Sequence, residues 1–189
     1  EGVPQYRSYY KAIKSVTARR EGYTDTNIDF DNTALKSFDV PARFDVEQFT
    51  QELQLTYMSD GLTAVGGLYY YDGDACGSFD VQLEVLGQAL SLPGFTLENG
   101  GCVNTKSSSI YGQTTFDVAE RWSMTLGGRY TSDEKTADVY KFTFYQTVYP
   151  GQLAAGEVTA ANPDNKFENS ESWTHFSPRV GVEYQASKD

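Results

Sequence analysis

The stretch Trp122-Ser123-Met124-Thr125-Leu126-Gly127-Gly128-Arg129-Tyr130 alternates between two kinds of side chain. One set is apolar or aromatic apart from Gly128, and the other set is small or polar and includes Arg129. Because successive side chains of a β-strand point to opposite faces of a sheet, this alternation predicts a strand with one apolar face. An aromatic residue stands at each end of that face, since Trp122 and Tyr130 are eight positions apart.

Two other segments repeat this spacing. Phe49 pairs in this way with Tyr57, and Phe176 with Tyr184, and each pair encloses alternating apolar residues apart from Gln51 in the first. Eight residues of strand span about 26 Å, or about 20 Å along the membrane normal at a tilt of about 40°. That length approaches the apolar band, about 25 Å tall, between the aromatic girdles of an outer-membrane barrel. The spacing therefore favours membrane-crossing strands over a soluble sandwich, which has no reason to place aromatics at both strand ends.

Three further segments, at residues 12–23, 63–71 and 109–118, are predicted to be strands with a less regular alternation. The segment at residues 63–71 is apolar on both faces, so its orientation stays open. Tight turns and long loops join the six predicted strands alternately. The tight turns are Ser59-Asp60-Gly61 and Ala119-Glu120-Arg121, and the long loops cover residues 24–47, 72–107 and 132–172.

Short periplasmic turns and long extracellular loops alternate in outer-membrane β-barrels. The pattern therefore predicts an all-β fold, an antiparallel transmembrane β-barrel segment of about six strands. It also predicts two aromatic rings, a periplasmic girdle of Tyr57, Phe116, Trp122 and Tyr184 and an outer girdle of Phe49, Tyr130 and Phe176. Six strands cannot close a barrel, whose lower limit is about eight. Residues 140–149 alternate well and residues 79–86 partly, either as two more strands or, as we expect for 140–149, as a ribbon above the membrane.

The composition narrows the possible functions. Asp and Glu outnumber Lys and Arg by 26 to 15, which gives a net charge of −11. No basic stripe is present to neutralise phosphates, so nucleic acid is not an expected partner. The two cysteines, Cys76 and Cys102, lie in a Gly-rich predicted loop, and their even number predicts a disulfide and an oxidising compartment. That bridge would close about 27 residues and stabilise the chain by about 3–4 kcal/mol.

No catalytic constellation is visible, so we expect neither an enzyme nor a cofactor or metal site. The single histidine, His175, shares the predicted lumen-facing side of its strand with Arg179, and Arg129 faces the lumen from the preceding strand. These three residues are the candidate ligand-binding residues, because lumen-facing cations attract an anionic ligand. The alternative, which we favour for the arginines, is that they pair with Glu52 or Glu183 in the barrel wall, or hold a plug.

Two predicted loops carry weaker signals. The first loop is acidic, and its carboxylates could bind calcium, although their spacing matches no known loop motif and we favour a solvated loop. Its acidic residues are Asp25, Asp29, Asp31, Asp39 and Asp45. The second loop contains an apolar stretch at residues 79–92, ended by Pro93-Gly94, which either caps a ligand vestibule as a helix or hairpin or packs the loop on its neighbours. We favour packing.

Five segments resemble barrel strands of the TonB-dependent receptors, in that family's order and approximate spacing. They are QFTQELQL at residues 48–55, GGLYYYD at 66–72, YGQTTFD at 111–117, LGGRYTSDEK at 126–135 and FSPRVGVEY at 176–184. They are similar to the family's QFSQELRL, AGLYYFD, FGQATYD, AGLRYTHDEK and FSPRVGLEY strands. Each segment is a weak signal alone, and the five together cover most of the chain.

The resemblance implies a 22-stranded barrel in the bacterial outer membrane, occluded by an N-terminal plug that the TonB complex pulls. Residues 1–189 would form part of that one barrel domain, without the plug. The implied partners are outer-membrane lipid, the rest of the barrel and plug, TonB through the plug, and a small-molecule ligand such as a ferric siderophore, haem, cobalamin or a glycan. Two alternatives stay open: a passive porin or small eight-stranded barrel, and a secreted all-β binding or adhesion module.

Overall fold

The computed structural model describes residues 10–145 and 165–186, which form one antiparallel sheet in the order β1-β2-β3-β4-β5-β6. The elements are β1 (Tyr10–Asp29), β2 (Asp39–Ser59), β3 (Leu62–Gln82), α1 (Glu84–Ala89), β4 (Thr96–Ala119), β5 (Trp122–Phe144) and β6 (Asn165–Tyr184). Every strand pairs with its neighbours in sequence, as in an up-and-down meander. The prediction of an all-β fold with six antiparallel strands is confirmed. Within the described residues, no helix has the length and apolar character needed to cross a membrane.

The strands are longer than predicted, with 20 to 24 residues each. The predicted extents of the long loops are therefore wrong. The first two connections shrink from residues 24–47 and 72–107 to residues 30–38 and 83–95, and α1 lies within the second. Of the predicted ribbon at 140–149, residues up to Phe144 continue β5, and residues 146–149 lie outside the described part.

Two tight turns lie at one end of the sheet, here called the short-turn end. Asp60-Gly61 joins β2 to β3, and the φ of +68° at Gly61 is one that side chains disfavour. Glu120-Arg121 joins β4 to β5 beside a bulge between Asp117 and Ala119. The Asp117 N–H of β4 donates to the Gly61 carbonyl of the first turn at 2.9 Å, and the Gln185 N–H, just after β6, donates to the Arg121 carbonyl of the second turn at 2.9 Å. These turns are the ones that the sequence predicted.

The register separates two faces, because directly opposite residues of antiparallel strands share a face. One is called the leucine face: Leu53 lies opposite Leu68, and Leu126 opposite Val180. The other is called the arginine face and carries Glu52, Tyr69, Tyr111, Arg129 and Arg179. The register also settles the orientation of residues 63–71, since Leu68 lies on the leucine face and Tyr69 on the arginine face.

The leucine face is not covered by the described chain. Leu53 is 40% exposed, Leu126 is 41% exposed and Val180 is 70% exposed. Among the described hydrophobic residues, only Ala42 and Phe142 are buried. Within residues 10–145 and 165–186 the sheet has no second layer, so this part of the chain leaves the apolar surface exposed.

Burial concentrates at the opposite end, here called the long-loop end. Asp80, Thr96 and Glu98 are fully buried there. The pairing of β3 with β4 continues into the second connection, because the Leu83 N–H donates to the Phe95 carbonyl at 2.9 Å. The apolar stretch at residues 79–92 is divided between the end of β3 and α1. Val85, Leu86 and Leu90 of this stretch are 43%, 46% and 56% exposed, so the packing interpretation stays a prediction.

Candidate ligand site

A hydrogen bond across three strands fixes the middle of the arginine face. The Tyr111 hydroxyl of β4 donates to Glu52 Oε1 of β2 at 2.5 Å. Strand β3 lies between them and contributes Gly67 directly opposite Tyr111. A Cβ at Gly67 would lie 2.7 Å from the Tyr111 hydroxyl and 2.5 Å from the Leu53 carbonyl oxygen. Only glycine therefore leaves room for the tyrosine to reach the carboxylate.

Arg129 extends this wall onto β5. It lies opposite Tyr111, and its Cζ is 5.4 Å from the centroid of the Tyr69 ring, which is a cation–π arrangement. Its Nε donates to Thr131 Oγ1 at 3.3 Å. The guanidinium is thus held against aromatic and hydroxyl groups of the wall, with other N–H donors left to meet a further group.

The three candidate ligand-binding residues share the arginine face. Arg179 lies on β6 opposite Gly127, and His175 lies opposite Thr131. His175 Nδ1 is 4.0 Å from Asp133 Oδ2. Among residues 10–145 and 165–186, neither arginine forms an ion pair with Glu52 or Glu183. The alternative of wall pairing is thus not seen in this part of the chain.

Above this wall, towards the long-loop end, the arginine face turns apolar. A groove of about 800 Å³ opens there across β2 to β6. Its apolar lining on this face consists of Phe44, Val46, Ala75, Phe79, Val103, Val139 and Phe167, with Asn99, Lys141 and Asn165 as polar members. Phe44 lies over Gly77, where a Cβ would be 2.6 Å from the ring. Sequence reasoning missed this groove.

The apolar phase of β2 reverses along the strand. Near the short-turn end the apolar side chains are Leu53 and Leu55, on the leucine face. Near the long-loop end they are Phe44 and Val46, on the arginine face, while Arg43 and Asp45 occupy the leucine face. One strand therefore exposes apolar groups to opposite sides at its two ends. This reversal was visible in the sequence as a change from odd to even positions between Phe49 and Val46.

The comparisons with known proteins agree with this geometry. The family model for the TonB dependent receptor-like β-barrel matches residues 4–189. The chain belongs to this family. The barrel also matches the crystal structure of the ferric yersiniabactin uptake receptor FyuA from Yersinia pestis, with a TM-score of 0.73 and 13% sequence identity. That match covers 95% of this chain and 24% of the other, so the chain spans about a quarter of that receptor's length. At this identity it shows a shared fold.

No curated protein matches the sequence. The family is of an outer-membrane type, and the family and the matched structure are receptors rather than enzymes. The receptor barrel fold predicted from the five strand motifs is therefore confirmed. These matches do not name the ligand.

The seven predicted girdle residues of this receptor barrel all lie on the leucine face. At the short-turn end, the Trp122 and Tyr184 rings are opposite each other with centroids 4.7 Å apart. Nearer the long-loop end, Tyr130 lies opposite Phe176. We call the row at the short-turn end the lower row and the other the upper row. The remaining members are Tyr57 and Phe116 in the lower row and Phe49 in the upper row. The structure therefore brings the aromatic residues into two rows on one face.

Cys76 and Cys102 form a disulfide between directly opposite residues of β3 and β4, with 4.0 Å between their Cα atoms. The sequence placed them in a loop, whereas both lie in strands. They lie on the leucine face beyond the upper aromatic row, since Phe49 is opposite Asp72. In this region that face has become polar, and the Asn104 amide donates to Asp74 Oδ1 at 2.9 Å.

The acidic first loop of the receptor barrel is organised by its own carboxylates. Carboxylate oxygens of Asp29, Asp31 and Asp39 lie within 4.8 Å of one another. Asp29 Oδ1 accepts the backbone N–H of Asn32 at 2.7 Å, and Asp39 pairs with Lys36. Hydrogen bonds, the largest from the Thr33 side chain, hold the pKa of Asp31 below its usual value. These contacts fit a loop-structuring role.

Asp25 and Asp45 lie outside that group, in β1 and β2. Asp25 accepts a 2.7 Å hydrogen bond from Arg43 Nε, which lowers the pKa of Asp25. The predicted acidic loop thus supplies strand-to-strand pairing as well as a turn.

Proposed function

We propose that this chain forms part of the wall of an outer-membrane receptor that takes up an organic, ring-containing ligand of the ferric siderophore class. Residues 1–189 belong, in this proposal, to a single barrel domain. The long-loop end is extracellular and the short-turn end is periplasmic. The observation that carries the proposal is the reversal of the apolar phase along β2. Apolar groups point to the outside between the aromatic rows and towards the axis of the barrel above them.

The half of the sheet nearer the short-turn end, here called the lower half, fits a bilayer. Exposed aliphatic side chains such as Leu126 and Val180 lie between two aromatic rows on the leucine face. Aromatic rings favour the two membrane interfaces and aliphatic groups favour the hydrocarbon between them. The arginine face of the same strands carries Glu52, Tyr111 and Arg129, which suit a wetted lumen or contact with a plug. Lipid is therefore the proposed cover of the leucine face.

The upper half fits a vestibule that receives a ligand. Its wall is apolar and partly aromatic, and Phe44 and Phe167 are 47% and 60% exposed. Such a wall suits rings better than a glycan, whose hydroxyl groups lose free energy where they find no hydrogen-bond partner. Arg129 and Arg179 lie below the groove, where cations favour an anionic chelate. FyuA, which shares the fold, is titled an uptake receptor for ferric yersiniabactin.

Energy for uptake comes, in this proposal, from the TonB complex acting on the plug, as the family membership implies. The wall itself carries out no chemistry and holds no cofactor. Its task is to bind and to guide, with the groove as the first contact and the two arginines as the second.

The test measures ligand binding to the full-length receptor in detergent. Trp173 lies on the arginine face opposite Asp133, so the fluorescence difference between the wild-type receptor and Trp173→Phe reports on an occupied lumen. Ferric yersiniabactin, haem and a maltooligosaccharide serve as probes. We expect a ferric chelate to quench Trp173, and replacing Phe44 and Phe79 by Ser to weaken binding roughly tenfold, since each aromatic contact contributes about 0.5–1.5 kcal/mol. The matched control replaces Leu53 and Leu68, on the leucine face, by Ala.

Four results would contradict the proposal. Equal loss of binding in the control pair would remove the groove from the site. Quenching of Trp173 by the oligosaccharide, and by neither of the other probes, would show that the ligand is a glycan and not a ferric siderophore. Recovery of the parent protein from the cytosol would refute the membrane placement, and a cooperative melt of this chain without detergent would favour the secreted binding or adhesion module.

A further inference from the structure

A second groove, of about 750 Å³, lies on the leucine face between the aromatic rows. Gly66 of β3 and Gly112 of β4, directly opposite each other, form its floor. Ile13 and Leu55 line one side and Leu126 lines the other. The groove belongs to the outside of the barrel and is separate from the ligand site.

Gly66, Gly112 and Gly128 lie opposite one another on three adjacent strands, and the groove is open because no side chain of the sheet covers the first two. Gly128 continues the row on β5, but the Phe176 ring fills its place, 2.7 Å from where a Cβ would be. At Gly112 a Cβ would meet nothing closer than the Val65 carbonyl oxygen at 4.0 Å. At Gly66 the nearest atom is the Tyr111 carbonyl oxygen at 3.3 Å, which belongs to the floor. Phe176 therefore closes one side, and the sheet offers no side chain to fill the rest.

A lysine stands at the short-turn end of the groove. Lys11 lines it and lies opposite Tyr57, which belongs to the lower aromatic row. Its Nζ is 5.8 Å from the centroid of the Tyr57 ring. From Tyr57 to Leu55, which is level with the glycine floor, the strand advances by about 7 Å. A positive charge at the level of the membrane interface thus lies next to an apolar channel that leads into the hydrocarbon.

We propose that this groove binds one phospholipid of the periplasmic leaflet, with its phosphate at Lys11 and one acyl chain over Gly66 and Gly112. Charge complementarity selects this occupant, since a phosphate is the anion found at this depth and an alkyl chain is its continuation. Lysines that extend to the interface commonly keep their charge there while the stem covers apolar surface. The inference depends on the membrane placement of the sheet and is independent of the ligand in the lumen.

The test uses the full-length receptor, purified in detergent, mixed with phosphatidylglycerol and examined by native mass spectrometry. We expect one lipid to stay bound. Gly112→Leu fills the groove and Lys11→Gln removes the charge, and each should lower the bound fraction at least fivefold. Ser108→Leu, which adds the same side chain to the same face of β4 outside the groove lining, should leave it unchanged. Heat-modifiability on gels verifies that each variant is folded, and Lys11→Gln serves if Gly112→Leu does not fold.

Equal lipid retention in all four proteins would overturn the inference, as would equal loss in Ser108→Leu. A receptor dimer in the spectrum that Gly112→Leu dissociates would also overturn it, because a second copy would then be the occupant. Trp173 quenching by the ferric chelate should be the same in Gly112→Leu as in the wild-type receptor. Loss of the lipid with retained quenching, or the reverse, therefore separates this inference from the proposed function.

Discussion

The hydroxyl of Tyr111 and the carboxylate of Glu52 meet at 2.5 Å although a whole strand separates their backbones. The contact is made over the bare backbone of Gly67 and joins β2 to β4. It lies on the arginine face at the level of Leu53 and Leu68, and in the proposed membrane placement water reaches this level only from the lumen. A hydrogen bond to a charged group contributes more there than on an open surface.

Tyr111→Phe should lower the free energy of unfolding by about 1–2 kcal/mol, because Glu52 loses its donor. The measurement is a urea titration of the receptor refolded in lipid vesicles. Tyr69→Phe is the matched control, since it removes a hydroxyl from a neighbouring tyrosine whose ring, not its hydroxyl, contacts Arg129. Equal destabilisation by both variants would show that the hydrogen bond to Glu52 contributes no more to stability than another tyrosine hydroxyl of this face.

Two glycine substitutions should change the free energy of unfolding differently. Gly67→Ala places a Cβ 2.5 Å from the Leu53 carbonyl oxygen and displaces the Tyr111 hydroxyl, so we expect a loss of about 2–4 kcal/mol. Gly112→Ala meets no atom closer than 4.0 Å and should be neutral or stabilising by up to about 1 kcal/mol. The same urea titration measures both. A similar cost at both positions would contradict the packing described for Gly67.

The two tryptophans should respond differently to brominated lipid, which quenches indoles in contact with acyl chains. Trp122 lies on the leucine face in the lower aromatic row, and Trp173 lies on the arginine face. The fluorescence of each indole is taken as the difference between the wild-type receptor and its Trp→Phe variant. In vesicles of brominated phosphatidylcholine the Trp122 contribution should be mostly quenched, and the Trp173 contribution should be mostly kept. The reverse pattern would exchange the two faces of the barrel and refute the membrane placement.

Stability at the long-loop end should fall at high pH. Burial, together with the negative charge of Glu98 and the hydrogen bond to it, raises the pKa of Tyr140 to about 12. In the unfolded chain the pKa is 10.0, so the contribution is complete below pH 10 and is lost as pH rises from 10 to about 12. The unfolding midpoint should therefore drop over this interval.

Tyr140→Phe should flatten that drop, and Tyr145→Phe, at an exposed tyrosine of the same end, should not. Chemical unfolding followed at a series of pH values measures the slope for each variant. An unchanged slope in Tyr140→Phe would assign the alkaline loss of stability to other groups.

The lower half of the sheet was predictable from the sequence because its alternation is regular. Leu53, Leu126 and Val180 were expected on one exposed apolar face, and Arg129 and Arg179 on the other, and the register confirms both placements. The fold and family followed from the same segments. Alternation alone fixes the face of a side chain without reference to any partner strand.

The upper half was not predictable in the same way. Phe44 and Val46 alternate on the opposite phase from Leu53, so a search for one continuous pattern ends the strand too early. The Tyr111–Glu52 contact was also out of reach, because it requires the register of three strands. Register depends on pairing across the sheet, and a slip by one residue moves a side chain to the other face. The cysteine pair was found by counting, although its place in two strands was not.

The position of the Cys76–Cys102 bridge bears on how such a barrel could be assembled. In the proposed orientation the bridge lies beyond the outer aromatic row, on the far side of the bilayer from the compartment where disulfides are made. Oxidation therefore precedes insertion, and the β3–β4 hairpin crosses the lipid as a covalently closed loop. Because the disulfide joins directly opposite residues, it fixes the register of β3 against β4 before the hairpin inserts into the membrane.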